Sequence, residues 1–439
     1  MQKGFIFNYN RCVSCSACSA ACLLENGWNI QPRKIFTYNI EAIPSLVLHN
    51  LSLACNHCET ALCLDGCPTS AYRRDEITGA VVMDEDRCIG CKYCQWNCPY
   101  DAPKFDPRRR IIGKCNLCYS GLKEGLLPAC TSACPTGALS YGELAENHKQ
   151  NIFPWFPEKN LNPAIEVAGR NNSSPLRIIP GRVVKQEVAI LADRDLIFKG
   201  EWSLVGFSFL SAISVSTIIS SLIKGVFPNK FIFLSTIFFA ATISLFHLGK
   251  PLRYWRSANN LRSSPLSREI TLFILYSIIS FISVIFHIPG FLVAAAIIGL
   301  VLLLLIDSVY IFSDKRKFMM IHSGQTFISG LLMVSFFSGI IIPFVFIAVI
   351  KSILLLKSLI VNKLTEGFPG LRFLRIALLI IAGASLISGI SYPDPVIFLL
   401  FIIGELFDRI IFYYDFSPLH ISNEINMQIN KERYETKRG

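Results

Sequence analysis

The stretch CIGCKYCQWNCP at residues 88–99 decides the fold of the first part of this chain. Its four cysteines follow the spacing CxxCxxCxxxC, and Pro99 comes directly after the last of them. Thiolates two residues apart can converge on one inorganic cluster from a tight loop. The proline then ends the turn and removes a competing N–H donor. The stretch therefore predicts a metal-cluster site.

Similar groups of four closely spaced cysteines account for every cysteine in the chain. All 16 cysteines of the 439-residue chain form four groups: Cys12, Cys15, Cys18 and Cys22; Cys55, Cys58, Cys63 and Cys67; Cys88, Cys91, Cys94 and Cys98; and Cys115, Cys118, Cys130 and Cys134. Proline follows three of the groups, at residues 68, 99 and 135. In this bacterial ferredoxin run, three thiolates hold one [4Fe-4S] cube and the fourth reaches the other cube of a pair. The groups predict four [4Fe-4S] clusters in two pairs.

Two other uses of the cysteines fit this spacing less well. Disulfide frameworks rarely contain so many CxxC spacings. Zinc sites also use CxxC pairs, but four groups of four with three trailing prolines favour clusters. Short strands such as residues 80–83 between the groups, and helical turns after each Cys-Pro, predict an α+β ferredoxin-like core. We expect the clusters to hold this core together.

Basic residues accompany the third and fourth groups. They are Lys92, Lys104, Arg108, Arg109, Arg110 and Lys114. One interpretation is a solvated basic loop. The other is compensation of anionic clusters, which raises their reduction potential.

The composition indicates a membrane protein. Hydrophobic residues make up 52% of the chain and the mean hydropathy is +0.46, which is too apolar for a freely soluble protein. The net charge of +11 does not predict binding to nucleic acid. We assign residues 1–150 to the cluster domain and residues 151–199 to an extended linker, rich in Pro, Asn, Ser and Lys. We expect its aromatic Phe153, Trp155 and Phe156 to pack on that domain, and contact with a partner is the alternative.

Eight apolar stretches of bilayer-spanning length follow from Trp202 onward. They predict an all-α eight-helix transmembrane domain over residues 200–415, with a polar tail at 416–439. The stretches are 202–223, 230–248, 268–287, 290–312, 321–341, 343–361, 372–390 and 394–413. So many consecutive spans with short connections exclude the buried helices of a soluble protein.

Basic loops predict the orientation of these spans. On the cluster-domain side we count Lys250, Arg253, Arg256, Arg262, Arg268, Lys315, Arg316, Lys317, Lys363, Arg372 and Arg375, against Lys224 and Lys230 on the other. Basic loops stay in the cytoplasm, so we expect the clusters on the cytoplasmic face. The amino terminus, in which we find no export signal, points the same way. The periplasmic face is the alternative.

Ionisable residues inside apolar spans are costly and hence mark function. They are His247, Glu269, Asp307, Glu405, Asp408 and Arg409, all on the cluster-domain side by the alternation of spans. An imidazole and a carboxylate at this depth suit the two protons that a quinol loses on oxidation. Glu405 and Arg409 stand four residues apart, so mutual neutralisation on one helix face is an equal alternative.

Residues 1 to about 190 resemble the four-cluster iron-sulfur subunit of the dimethyl sulfoxide reductase family of molybdopterin oxidoreductases. The resemblance implies that the outer cysteine groups pair with each other, as do the inner ones. It would give the ligand sets Cys12, Cys15, Cys18 and Cys134; Cys115, Cys118, Cys130 and Cys22; Cys55, Cys58, Cys63 and Cys98; and Cys88, Cys91, Cys94 and Cys67.

Residues 200–415 resemble the membrane anchor of the same family. The matching segments are EWSL at 201–204, FHLGKPLRYWRSANNLRSSPLSREI at 246–270 and GELFDRIIFYYDF at 404–416. The resemblance implies that His247 and Glu269 accept the protons of menaquinol, with Arg253, Glu405 and Arg409 as further quinol-binding residues. Asp307 stands where the family leads us to expect an arginine.

The resemblance implies a fused electron-transfer and anchor subunit in a bacterial inner membrane. It would oxidise menaquinol and pass electrons through four clusters to a separate molybdopterin-containing catalytic subunit, and have no terminal catalytic site of its own. Alternatives are reverse flow from a dehydrogenase to quinone, and electron supply to a cytoplasmic assimilatory nitrate reductase. Different classes are a redox-coupled ion transporter, which would need charges in both halves of the bilayer, and a cluster-bearing scaffold.

Overall fold

The computed structural model describes residues 2–38, 49–145, 161–168, 184–313, 322–361, 369–388 and 394–416. The chain divides into two compact units. The first contains the cysteine groups together with the short segment 252–264, and the second contains the helices before and after that segment. Outside the described residues lie the predictions on Phe153, Trp155, Phe156, Lys315, Arg316, Lys317, Lys363 and the tail after residue 416.

Short strands alternate with short helices in the first unit. The strands are β1 (Lys3–Asn8), β2 (Lys34–Tyr38), β3 (His49–Leu53), β4 (Tyr72–Arg74), β5 (Val81–Met83), β6 (Lys104–Asp106), β7 (Ile111–Gly113), β8 (Leu139–Glu143) and β9 (Ile165–Ala168). The helices are α1 (Ala17–Asn26), α2 (Leu62–Asp65), α3 (Tyr93–Asn97), α4 (Tyr119–Lys123) and α5 (Ala129–Ser132). This part of the chain is therefore α+β and ferredoxin-like, as the sequence predicts.

Strand β1 is the centre of a three-stranded sheet. It pairs antiparallel with β8 and parallel with β9, so that Phe5 lies opposite Tyr141 and Ile165. The hairpins β2–β3, β4–β5 and β6–β7 each separate two successive cysteine groups. Strand β9 falls within the predicted linker, and this part of the linker is thus a strand of the cluster fold.

The apolar core of the first unit is built around thiols. Phe5, Phe7 and Leu51 are almost fully buried, and they belong to one cluster of buried side chains that also contains Cys18, Cys55, Cys115 and Cys130. Because so much of the core is sulfur, its packing depends on what the sulfurs bind.

The second unit is helical. Its helices are α6 (Val184–Lys224), α7 (Lys230–Leu245), α8 (Pro265–Phe286), α9 (Pro289–Ser313), α10 (Thr326–Ser338), α11 (Ile341–Val361), α12 (Pro369–Ile387) and α13 (Pro395–Asp415). Each predicted stretch overlaps one of them. Helix α6 begins at Val184, so residues 184–199 are helical and not extended as the linker prediction has them.

Four segments in the described residues are long and apolar enough to cross a membrane: Trp202–Lys224, Pro265–Phe286, Pro289–Ile311 and Gly370–Ile387. Helix α10 has only 13 residues, or about 20 Å at 1.5 Å per residue, which is less than a hydrocarbon core of about 30 Å. Helix α13 carries Glu405, Asp408 and Arg409, which lower its hydropathy. A membrane-spanning region is supported, and the eightfold crossing stays a prediction.

The side chains of these helices are distributed as in a lipid-facing bundle. Large apolar groups such as Phe231, Phe346 and Ile380 are more than half exposed. Ser208 and Ser216 of α6 are fully buried. Small polar residues allow close helix packing in a membrane, while apolar residues face the lipid.

Candidate functional site

The cysteines come together in four mixed quartets. Each quartet draws three thiols from one sequence group and one from another. The first quartet, Cys12, Cys15, Cys18 and Cys134, lines one cavity. The third quartet, Cys55, Cys58, Cys63 and Cys98, lines a second cavity.

The thiols of the other two quartets interact electrostatically with one another, although Cys22 also interacts with Cys18 of the first quartet and Cys115 with Cys55 of the third. In the second quartet, Cys22 interacts with Cys130 and Cys118, and Cys115 interacts with Cys22 and Cys130. In the fourth quartet, Cys67 interacts with each of Cys88, Cys91 and Cys94. The thiols are thus grouped as the family resemblance implies, and their ligation of four clusters stays a prediction.

One backbone conformation recurs in the first CxxC loop of each of the four cysteine groups. The residue before the second cysteine has a positive φ in each loop: 58° at Ser14, 43° at His57, 68° at Gly90 and 65° at Leu117. Only one of these residues is glycine, so three loops hold a side chain in the left-handed region, which costs free energy. Such a turn directs successive N–H groups toward an anionic centre.

Backbone N–H groups do reach the sulfurs. Ala71 N lies 3.3 Å from Cys67 Sγ, Leu117 N lies 3.4 Å from Cys115 Sγ, and Ala102 N lies 3.5 Å from Cys98 Sγ. These donors stabilise thiolates, as the ligands of a cluster must be.

Burial opposes the charged form of the free thiols. It raises the pKa of Cys98 to about 12, and, with repulsion from Cys130, that of Cys22 also to about 12. Burial would raise the pKa of Cys134 as well, but N–H groups from Leu139 and neighbouring residues bring that pKa below its ordinary value. Without a cation the quartets thus favour protonated thiols.

The donor set fits [4Fe-4S] clusters. Four soft sulfur ligands surround each centre, with N–H groups aimed at them. Among the described residues, no three His, Cys, Asp or Glu side chains are placed to hold a single metal ion. The first and third quartets line cavities, as a multi-atom cluster requires.

Two buried cations lie among the quartets. Arg33 is 1% exposed and interacts with thiols of the first and second quartets, including Cys18 and Cys130. Lys114 is 3% exposed, and its Nζ lies 3.3 Å from Cys55 Sγ of the third quartet and donates to the carbonyl of Cys115 in the second, at 3.0 Å. Neither has a carboxylate within ion-pair distance in the part of the chain described.

Two of the other predicted basic residues form ion pairs. Lys104 pairs with Asp101, and Arg109 with Glu85. Arg108 and Arg110 are exposed. The solvated-loop interpretation therefore suits the arginine run, while compensation of clusters suits Lys114. Arg33 has no local signal in the sequence, because hairpin β2–β3 brings it to the thiols only on folding.

His57 lines the cavity of the third quartet. Its Nδ1 accepts a hydrogen bond from Val81 N at 3.0 Å. Burial, with the charge of Lys114, holds the pKa of His57 well below its ordinary value. The imidazole is thus neutral and shapes this cavity without adding charge.

Segment 252–264 binds the loops of the fourth quartet. Arg253 Nη1 donates to the carbonyls of Glu85 at 3.1 Å and Cys88 at 3.3 Å. Asn260 Nδ2 donates to the carbonyl of Cys67 at 2.9 Å, and Ser264 Oγ donates to that of Gly66 at 2.8 Å. Arg253, a predicted quinol ligand, therefore positions cysteine loops of the first unit.

The remaining predicted quinol residues lie in the second unit. Glu269 is 6% exposed, and its charged neighbours are Arg409 and Asp307. Asp307 accepts hydrogen bonds from Thr326 N at 2.8 Å and Phe327 N at 2.9 Å, at the start of α10. His247 is half-buried, and its Nδ1 hydrogen-bonds to the carbonyl of Ser244. Glu269, Asp307 and Arg409 thus form a polar site.

Arg409 is the cation beside Asp307. Its Nη1 lies 3.8 Å from Asp307 Oδ1, and its Nε donates to Ser208 Oγ at 2.7 Å. Its guanidinium also lies 4.4 Å from the centre of the Phe412 ring. Arg409 is therefore fixed on several sides.

The predicted neutralisation of Glu405 by Arg409 is not what the structure shows. Glu405 pairs with Lys351 at 2.8 Å and with Arg375, whereas Arg409 pairs with Asp307. Lys351 was not among the predicted ionisable residues of the spans, although its position within the apolar stretch 343–361 already indicated a buried charge. The partners lie on different helices, so spacing within one helix could not reveal them.

The number of basic loop residues that support the predicted orientation is smaller than the sequence indicates. Arg375 is fully buried within α12, and Arg372 bonds to Asp415 at 2.8 and 2.9 Å. These two arginines are therefore structural partners of carboxylates and not loop charges. The excess of basic residues on the predicted cytoplasmic side becomes smaller but keeps its sign.

Crossed thiol quartets on a ferredoxin-like fold define the first unit as an iron-sulfur electron-transfer module. Residues 47–144 match the family described as a 4Fe-4S dicluster domain. The protein is 37% identical over 201 residues to YnfG of Escherichia coli, a probable anaerobic dimethyl sulfoxide reductase component, and the match covers 42% of this chain and 98% of that relative.

Two further relatives agree. The B subunit of anaerobic dimethyl sulfoxide reductase from Escherichia coli is 36% identical over 191 residues, 40% of this chain and 92% of the relative. The thiosulfate reductase electron transfer subunit PhsB of Salmonella typhi is 36% identical over 165 residues, 36% of this chain and 84% of the relative. This chain belongs to the family of dimethyl sulfoxide reductase-type iron-sulfur subunits, here continued by a helical region with candidate membrane spans.

Proposed function

We propose that this chain is the electron-transfer and membrane-anchor subunit of a molybdopterin oxidoreductase complex in the bacterial inner membrane. It oxidises menaquinol and delivers electrons to a separate catalytic subunit. The observation that carries the proposal is the assembly of all 16 cysteines into four crossed quartets, each of which would hold one [4Fe-4S] cluster. The clusters supply one-electron transfer; the chain's own residues fix their order and surroundings.

The fourth quartet is the first acceptor in this proposal. Segment 252–264, which binds the loops of Cys67 and Cys88, joins α7 to α8. In the sequence it is flanked by His247 on one side and Glu269 on the other, so the two proposed proton acceptors are tethered to the residues that hold this quartet. Lys114 and Arg33 then lie along the remaining quartets.

Glu269 is the proposed proton acceptor on the carboxylate side. A buried carboxylate beside Arg409 can take the proton of a quinol hydroxyl as its electrons leave. The N–H groups at the start of α10 fix the Asp307 carboxylate, which in turn holds the guanidinium in place. His247 would accept the second proton, and membrane lipid surrounds the helices.

The test uses the purified complex with a water-soluble menaquinol analogue. Glu269→Gln should leave the electron paramagnetic resonance signals of four clusters intact but slow their reduction about 100-fold or more, because proton transfer contributes on this scale. Glu143→Gln, a change at a strand carboxylate of the first unit, is the control. Reduction at the wild-type rate in Glu269→Gln would remove the quinol assignment.

A further inference from the structure

A second charged site lies deeper in the helical unit. The charge network consists of Lys351 on α11, Arg375 on α12, and Glu405 and Asp408 on α13, all with fully buried side chains. Lys351 Nζ lies 2.8 Å from Glu405 Oε2, 2.8 Å from Asp408 Oδ2 and 2.8 Å from Ser329 Oγ. Arg375 pairs with Glu405 and lies 3.7 Å from Asp408.

Stability does not explain this network. Burying two cations and two anions carries a desolvation penalty that their attraction barely offsets, and apolar residues of similar volume often serve as well. Ionisable groups inside a membrane helix mark function by default. The network also has an unused hydrogen-bond donor, because Arg375 Nη1 has no hydrogen-bond partner among the described residues.

The network reaches the middle of the helices. Lys351 is ten residues from each end of α11, and Glu405 is ten residues from each end of α13. At 1.5 Å per residue, both are about 15 Å from either helix end. Glu269, by contrast, is the fifth residue of α8. Charged side chains therefore extend from the proposed quinol site, near the helix ends, to the middle of the helices.

One turn of chain connects the two sites. Ser323 Oγ donates to Asp408 Oδ1 at 2.7 Å, the carbonyl of Gly324 accepts from Arg409 Nη1 at 2.9 Å, and Thr326 N donates to Asp307. Gly324 permits this contact, since a Cβ there would lie 2.4 Å from the Asp408 carbonyl oxygen. The carboxylates of Asp307 and Asp408 are thus held by the same short segment.

We propose that the charge network is a proton-holding site that receives a proton released during quinol oxidation. This inference rests on the proposed function. Each quinol O–H bond that breaks sends its electron to the clusters and its proton to a base. One proton passes from Glu269 through Asp307 and Asp408 to Glu405. The acceptor is a carboxylate, because the Lys351 ammonium has three N–H donors and no lone pair.

The experiment compares two double variants of the purified complex. Lys351→Met with Glu405→Gln removes one charge of each sign from the network, so the net charge of the buried site is kept. Arg372→Gln with Asp415→Asn removes a buried ion pair of α12 and α13 outside the network. Cluster reduction is followed by stopped flow, and carboxylic acid formation by infrared difference spectroscopy in H₂O and D₂O.

We expect the wild type and the Arg372/Asp415 variant to form a protonated carboxylic acid during the first turnover. The Lys351/Glu405 variant should lose the part of this signal that belongs to Glu405 and slow later turnovers about tenfold or more. An unchanged infrared signal, or an unchanged steady rate, would overturn the inference. If the double variant fails to assemble, Glu405→Gln alone is held to the same outcomes.

The proposed function fails in a different way. If a menaquinol analogue does not reduce the wild-type clusters, both the proposed function and the proton-holding site are wrong. If reduction is normal and the carboxylic acid signal is the same in all proteins, only the proton-holding site is wrong.

Discussion

The two units both bury cations, but they neutralise them differently. In the first unit Arg33 and Lys114 face thiols, without a carboxylate partner among the described residues. In the second unit Lys351 and Arg375 pair with carboxylates. The buried cations of the first unit are therefore neutralised only when the thiols become thiolates, that is, when clusters form. In the second unit, carboxylates neutralise the buried cations Lys351 and Arg375.

Removal of iron should give the largest effect that separates the units. Chelation under reducing conditions should cost the first unit on the order of 10 kcal/mol of folding free energy, because its core is built on metal ligands. The helical unit should keep its structure. Circular dichroism and limited proteolysis would show this, with the second unit's helices as internal control. A protease-resistant first unit without iron would contradict the comparison.

Loss of one cation from the charge network should come next. Lys351→Met leaves two buried carboxylates with one partner fewer and should destabilise the helical unit by about 3–5 kcal/mol. The double variant with Glu405→Gln should recover much of this. Thermal unfolding in detergent measures both. Equal losses in the two variants would show that apolar packing, and not charge balance, is at stake.

Loss of Lys114 should change electron affinity more than folding. Lys114→Met removes a positive charge beside the third quartet and should lower the potential of one cluster by on the order of 100 mV. Lys104→Met, whose ammonium pairs with Asp101, is the matched control. Redox titration followed by electron paramagnetic resonance measures both potentials. Equal shifts would assign the effect to surface charge.

The smallest effect concerns an ordinary ion pair of the first unit. Hydrogen bonds from Lys123 and Thr78 lower the pKa of Asp75 to about 2. Because the folded-state pKa lies below the unfolded value of about 3.9, the contribution of Asp75 to stability is present above about pH 4 and is lost as the pH falls toward 2. In chemical unfolding, the difference in stability between Asp75→Asn and wild type should therefore be clearly smaller at pH 2.5 than at pH 6. Asp84→Asn is the control, and an equal difference at both pH values would contradict the assignment.

Local patterns predicted most of the architecture. The cysteine spacing identified the ferredoxin-like unit, and apolar stretches located the helices, because both signals lie within short windows of sequence. The contacts of Arg33, the pairing of Glu405 with Lys351, and the role of Arg253 depend on residues brought together by the fold. Residues 184–199 were misjudged because their polar composition resembles a linker, while the structure makes them the start of α6.

The short segment between α7 and α8 has a practical consequence for dissecting the protein. Cutting the chain near residue 200 to obtain a water-soluble fragment would remove the donors that satisfy the carbonyls of Asp65, Gly66, Cys67, Glu85, Asp86 and Cys88. Such a fragment would contain all the cysteines and still lack the segment that binds the loops of the fourth quartet. Its spectroscopy would misrepresent that centre, and any shortened version should graft residues 252–264 back on.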